Sequence, residues 1–312
     1  MLADIDEARA EGVDPLAKLN LAHLMCGSEG TLAITVGATL KLHPIPKAKG
    51  LAVLGFATLE EAIECVVPIL PLKPSAVELL DDMVIGLARA NTEYSHYVRL
   101  MPQPCAGGAL AAVLYVEFFS VEGPGEIECK LGELRALVSR IAPSAGFAAY
   151  TGAAEMAQAL KLRKAGDPLL HGIPGSRKPL GFVEDNAVPV ERLSEFVREF
   201  KAIVSSKGTR AAFWAHASVG VLHVRPLLDL RDEADRQRME EIAVEVADLA
   251  KRLGGVMSGD GRVPRGQGAV RPAESAQSGQ YRLAGRCAEH PRADPPAPAR
   301  RRPSRAGDRY FL

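Results

Sequence analysis

His216 and His223 bracket the stretch Ala217-Ser218-Val219-Gly220-Val221-Leu222, and a tight turn at the glycine would bring both imidazoles to the same side of a hairpin. Imidazoles so placed can share one divalent cation. The alternative is a pair of packed or solvent-facing histidines, since no third ligand accompanies them in sequence. A second group with chemical potential is Gly27-Ser28-Glu29-Gly30-Thr31. Glycines around a small hydroxyl and a carboxylate let backbone amides approach an anionic or planar ligand closely. On spacing alone an ordinary glycine turn is the competing reading.

These groups need rigid elements to hold them. Residues 2–20 are expected to form a short helix, and Thr31–Leu42 alternates as a strand ended by Pro44 and Pro46. Strand-then-helix units follow. LAVLGF (51–56) precedes a helix opened by the Thr58/Glu61 capping box and stopped by Pro68 and Pro71, and SAVELL (75–80) precedes one begun by Asp81 and Asp82. AAVLYVEFF (111–119) reads as a strand and residues 127–142 as an amphipathic helix. FAAYTG leads into the helix AAEMAQALKLRKAG, and GDPLLHGIPGSRKP into a loop. GFVED (181–185) reads as a strand, and Pro189 opens a helix closed by Gly208. AAFWAHASVGVLHVRP is a hairpin, and a long helix runs from about Asp232 to Leu253. The expected fold is α+β, a largely antiparallel sheet with helices packed on one side.

Composition narrows the function classes. The 312 residues carry 38 basic and 38 acidic side chains, so no global field draws the chain to nucleic acid or anionic lipid. Five scattered cysteines without a CxxC pair argue against a disulfide framework or zinc ribbon and point to the cytoplasm. The acidic start MLADIDEARAEG is unlike a secretory signal, and no run is apolar enough for a transmembrane segment. After Asp260 lysine and isoleucine vanish and arginine and proline dominate, so 261–312 is expected to be disordered.

Longer segments carry a resemblance. LAHLMCGSEGTLAITVGATLKLHPIP resembles the end of the flavin-binding domain in the FAD-linked oxidase family, with Ala33 where that family often has glycine. It implies that Gly27, Ser28, Glu29, Gly30 and Thr31 contact FAD. FWAHASVGVLHVRPLLDLRD resembles the metal-binding segment of the same oxidases, in a subgroup similar to large bacterial proteins that join the flavoenzyme to an iron–sulfur module. That likeness implies His216 and His223 as ligands of a divalent metal, often zinc, beside the substrate. The cation would neutralise the hydroxy-acid oxygens and lower the hydroxyl pKa. Arg163, in KLRKAG, matches the arginine that clamps the substrate carboxylate, a task suited to a planar guanidinium. With Lys161 and Lys164 it could instead be the basic, solvated end of a helix. Lys178 and Asp185 also recur in relatives, without assigned chemistry.

The sequence departs from the family at both ends. Relatives follow a GGxxSG step with Glu-His-Gly; here GGVMSG runs into Asp260-Gly261-Arg262, leaving Asp260 as the nearby carboxylate. The tail fits out-of-frame translation, and the glycine-rich loop that holds the FAD pyrophosphate is not found. The expected organisation is 1–46 as a remnant of the FAD-binding domain, 47–260 as the substrate and metal domain, and 261–312 as tail. The resemblance implies part of an FAD-dependent oxidoreductase acting on a D-2-hydroxy acid such as lactate or 2-hydroxyglutarate, inactive as an isolated chain. Its partners would be a flavin-binding half or an iron–sulfur module. The alternative is a non-catalytic domain docked on a separate flavin subunit; nucleic-acid binding by the tail is set aside because aromatic residues do not interleave its arginines.

Overall fold

The computed structural model describes residues 31–40, 42–105 and 107–257, together with Glu11, Gly12, Asp14 and Met25. The helix expected over 2–20 falls almost wholly outside these residues, as do Gly27–Gly30, Asp260 and the arginine-rich tail.

One sheet organises the described chain. Its strands are β1 (Ala48–Phe56), β2 (Ala76–Leu80), β3 (Ala112–Ser120), β4 (Gly146–Tyr150), β5 (Lys178–Pro179), β6 (Asn186–Ala187), β7 (Ala211–His216), β8 (Val221–Leu228) and β9 (Val256–Met257). They run in the order β4-β1-β3-β2-β7-β8-β6-β9, with β5 also on β8. Each pairing is antiparallel. The α+β class with a largely antiparallel sheet is therefore what the chain adopts. The helices are α1 (Leu59–Glu64), α2 (Val66–Ile69), α3 (Asp82–Ala90), α4 (Ser95–Leu100), α5 (Pro124–Ile141), α6 (Ala153–Ala159), α7 (Lys161–His171), α8 (Leu193–Ser206) and α9 (Glu233–Arg252).

The helices cover both faces of the sheet, where one had been expected. Helices α1, α5, α8 and α9 pack with Leu54, Phe56, Leu114 and Phe213. Helices α3, α4, α6 and α7 pack with Val53, Leu80, Tyr115 and Trp214 on the opposite face. The reason lies in β1 and β3, whose apolar residues run almost without interruption, so each strand has two faces to bury.

Local signals act as read at most helix starts. Thr58 Oγ1 accepts from the Glu61 N–H at 3.2 Å and caps α1. Thr58→Ala is expected to cost about 1 kcal/mol, or roughly 3 °C in thermal melting; an unshifted melt would show that the cap contributes nothing. Pro68 falls inside α2, in the first turn, where its missing N–H has no intrahelical acceptor to lose.

Several expected elements differ. Helix α7 continues through Gly166-Asp167-Pro168 to His171, because Leu162, Ala165, Leu169 and Leu170 keep a buried stripe across the proline. The expected helix AAEMAQALKLRKAG is also broken, α6 ending at Ala159 and α7 starting at Lys161, so Lys161, Arg163 and Lys164 sit in the first turn of α7 and the reading of them as a basic helix C-terminus is overturned. Residues 33–40 form no strand, and Ile34 and Val36 are 90% and 98% exposed. Their alternation suits a strand, but no described strand lies alongside to complete a ladder. GFVED is also not a strand: Asp185 takes a positive φ of 55°, and pairing starts only at Asn186.

Candidate functional site

Sheet register places the chemistry. In the ladders Glu78 of β2 lies opposite His216 of β7, and Trp214 of β7 lies opposite His223 of β8. Side chains directly opposite, or two apart on a strand, share a face, so Glu78, Trp214, His216 and His223 stand together. A single 3₁₀ turn, Ala217–Val219, and Gly220 at φ 70° return the chain between the histidines. Their rings sit edge to face with centroids 5.0 Å apart, and His223 also lies 5.8 Å from Trp214.

Each imidazole is held by a carboxylate at Nδ1. His216 Nδ1 is 2.8 Å from Glu78 Oε1, and His223 Nδ1 is 2.8 Å from Asp185 Oδ1. A carboxylate can only accept there, so Nδ1 carries a proton, and in the neutral ring Nε2 is the nitrogen that holds the lone pair. Burial pushes the His223 pKa below its ordinary value; His216 and Arg163 act in the same direction, while Asp185 and Glu184 oppose it. His223 is therefore a neutral imidazole at neutral pH.

Arg163 arrives from the other side. Its Nε and Nη2 donate to Glu78 Oε2 at 3.2 and 2.5 Å. Glu78 thus bridges His216 and Arg163, and its side chain is only 16% exposed. Next to it on β3, Glu117 has its carboxyl pushed up, first by burial and then by the charge of Glu78, against the pull of Lys49 and Lys164. Below Trp214, Arg225 lies 5.1 Å from the indole centroid and donates to Glu184 and Asp167, both at 2.7 Å. That cation is already neutralised by two acids and braces the floor of the site.

His216, His223 and Arg163, named from sequence, are thus drawn together through Glu78, which sequence reasoning missed. Its one signal was an acid inside the otherwise apolar strand SAVELL. Glu184, Trp214 and Arg225 gave no such signal, and Asp185 acquires a role only through His223. Of the glycine segment, Thr31 is exposed and Gly27–Gly30 fall outside the described residues. Among the described residues no three His, Cys, Asp or Glu side chains group around a common ion position, so the expected metal finds no complete centre. Two imidazoles furnish half of a four-coordinate shell.

No helix among the described residues is long and apolar enough to cross a membrane. Residues 45–260 match the family of FAD linked oxidases, C-terminal domain. A D-2-hydroxyglutarate dehydrogenase of Pantoea ananatis is 30% identical over 252 residues, covering 79% of this chain and 24% of its own length. One from Pseudomonas putida is also 30% identical over 252 residues, with 25% of its length covered. A D-lactate dehydrogenase of Archaeoglobus fulgidus is 27% identical over 256 residues, covering 82% of this chain and 51% of the relative. The chain spans a quarter to a half of the length of these relatives. With the match extending over every strand of the described sheet and every helix that covers it, the chain belongs to the FAD-linked oxidases through their C-terminal domain.

Proposed function

We propose that this chain is the substrate-binding part of an FAD-dependent oxidoreductase that oxidises a D-2-hydroxy acid, D-2-hydroxyglutarate or D-lactate. The observation that carries the reading is the joining of Arg163 to the His216/His223 pair through one buried-face carboxylate, Glu78. Residues 47–260 are the substrate domain on this reading. Residues 1–46 end the flavin-binding domain, with Gly27, Ser28, Glu29, Gly30 and Thr31 against the cofactor. Bound FAD would supply the hydride acceptor.

The protein's own residues hold the substrate. Arg163 has five N–H donors and commits two contacts to Glu78, so others are left for the substrate carboxylate. Nε2 of His216 and of His223 would hold a divalent cation, zinc by donor type, with further ligands from the hydroxy acid or from residues beyond the described ones. Such a cation would stabilise negative charge on the hydroxy-acid oxygens. Neutral His223 is already in the protonation state a ligand needs. The scattered cysteines favour the cytoplasm, and an iron–sulfur module is the proposed electron acceptor.

Because the sequence carries no glycine-rich pyrophosphate loop, the isolated chain is expected to purify without flavin absorbance and to reduce no dye. Supplied with a flavin-binding half in the same polypeptide, it is expected to reduce dye with D-2-hydroxyglutarate or D-lactate. In that protein Arg163→Lys should lower kcat/KM roughly 30-fold, the worth of one charge-assisted hydrogen bond. A flavin-loaded protein that turned over neither acid would overturn the reading. A docking role without catalysis draws support from the exposed Ile34, Val36, Leu40 and Leu42; turnover by a flavin partner that was indifferent to Arg163→Lys would favour it.

A further inference from the structure

Glu78 stands where a charge is costly. It lies on the strand next to Leu79 and Leu80, opposite the fully buried Tyr115, on the sheet face that α3 and α7 cover. A carboxylate withdrawn from water needs its oxygens satisfied, and both are: Oε1 by His216 and Oε2 by Arg163. Both partners are groups with roles proposed above, His216 toward the cation and Arg163 toward the substrate carboxylate. The contact to His216 is fixed by sheet register, because the two residues are ladder partners in adjacent strands. The contact to Arg163 ties helix α7 to the same point.

We propose that Glu78 is a positioning residue that sets the His216 tautomer and the Arg163 guanidinium together, so that one carboxylate aligns the cation-holding and the carboxylate-holding group. This deepens the hydroxy-acid reading and rests on it for the roles of His216 and Arg163. Glu78 itself meets no substrate. By accepting from Nδ1–H it confines the remaining proton-free nitrogen of His216 to Nε2. By accepting from Nε and Nη2 of Arg163 it fixes the plane of the guanidinium and leaves Nη1 uncommitted to it.

The experiment needs neither flavin nor substrate, so its failure is separable from failure of the hydroxy-acid reading. In the full chain labelled with ¹⁵N-histidine, long-range proton–nitrogen spectra at mildly alkaline pH report which ring nitrogen of His216 is protonated, with His216→Asn identifying the signal. The wild type is expected to show the Nδ1–H form. Glu78→Gln has the same shape, but its amide oxygen turns to the cation Arg163 and its NH₂ faces His216 Nδ1. The ratio of the two tautomers should then invert to Nε2–H, with circular dichroism unchanged. Glu78→Asp, a second variant should the first fail to fold, is too short to serve both partners and should give a mixture. Nε2–H in the wild type, or retained Nδ1–H in whichever variant folds, would overturn the proposal.

Discussion

Gly220→Ala is expected to lose roughly 4 kcal/mol of folding stability, more than 10 °C in melting for a domain of this size. Gly208→Ala should lose only about 1–2 kcal/mol. Both glycines have nearly the same backbone, φ 70° and 67°, so the conformational cost of an L side chain is shared. Their surroundings differ. A Cβ at Gly208 meets open space, whereas one at Gly220 would sit well inside the contact distance of the Val188 carbonyl oxygen and crowd its carbonyl carbon. Backbone cannot rotate away like a side chain, so the strain must be taken up where Val188 N–H donates to the Gly220 carbonyl at 3.0 Å. That bond continues the β6/β8 ladder, which begins one residue after Asp185, the partner of His223. Urea denaturation of the two variants checks the comparison. Equal losses would mean that the close approach of Val188 does not govern the turn.

The same turn shows what a linear sequence can disclose. His216, Gly220 and His223 lie within one hairpin, so local pattern alone brings the imidazoles together. The cap at Thr58, the acidic start of α3 and the buried stripe of α9 are legible for the same reason, since each depends on residues close in sequence, though the capping role of Asp81 emerges only in the structure. Glu78 was not. Its partners Arg163 and His216 are 85 and 138 residues away, and nothing near it in sequence says which strand will lie beside β2. Gly-Asp-Pro reads as a helix stop, yet α7 runs through it to His171 because packing of Leu169 and Leu170 outweighs the lost hydrogen bond. The break at Leu160, unmarked in the sequence, puts Arg163 in the first turn of α7, where it reaches Glu78. Residues 31–42 show the reverse. Their period is that of a strand, but a strand exists only with a neighbour, and among the described residues none pairs there.

Asp81→Ala is expected to cost about 3 kcal/mol, near 8 °C in melting, at mildly acidic pH. Asp81 is 1% exposed and ends β2 at the point where the chain turns into α3. Its Oδ1 accepts from Val84 N–H at 3.1 Å as the helix cap, and its Oδ2 accepts from Phe213 N–H at 2.6 Å. The second bond extends the β2/β7 ladder by one step past its last pair, Leu80 with Trp214, and so locks the strand that carries His216. Removing the carboxyl leaves two buried donors without partners. The cost should also depend on pH. Burial pushes the Asp81 carboxyl up to about 7, against the pull of the Phe213 and Val84 N–H groups, while in the unfolded chain it titrates in the ordinary range near 4. The folded state therefore holds the proton more tightly, and the stability linked to it is complete below about pH 4 and lost as pH rises through about 7. The difference between wild type and Asp81→Ala should shrink from about pH 5 to about pH 8. Melts of both proteins across that range decide the matter: a difference that grew with pH would show that the fold stabilises the anion, and that the two N–H bonds outweigh desolvation.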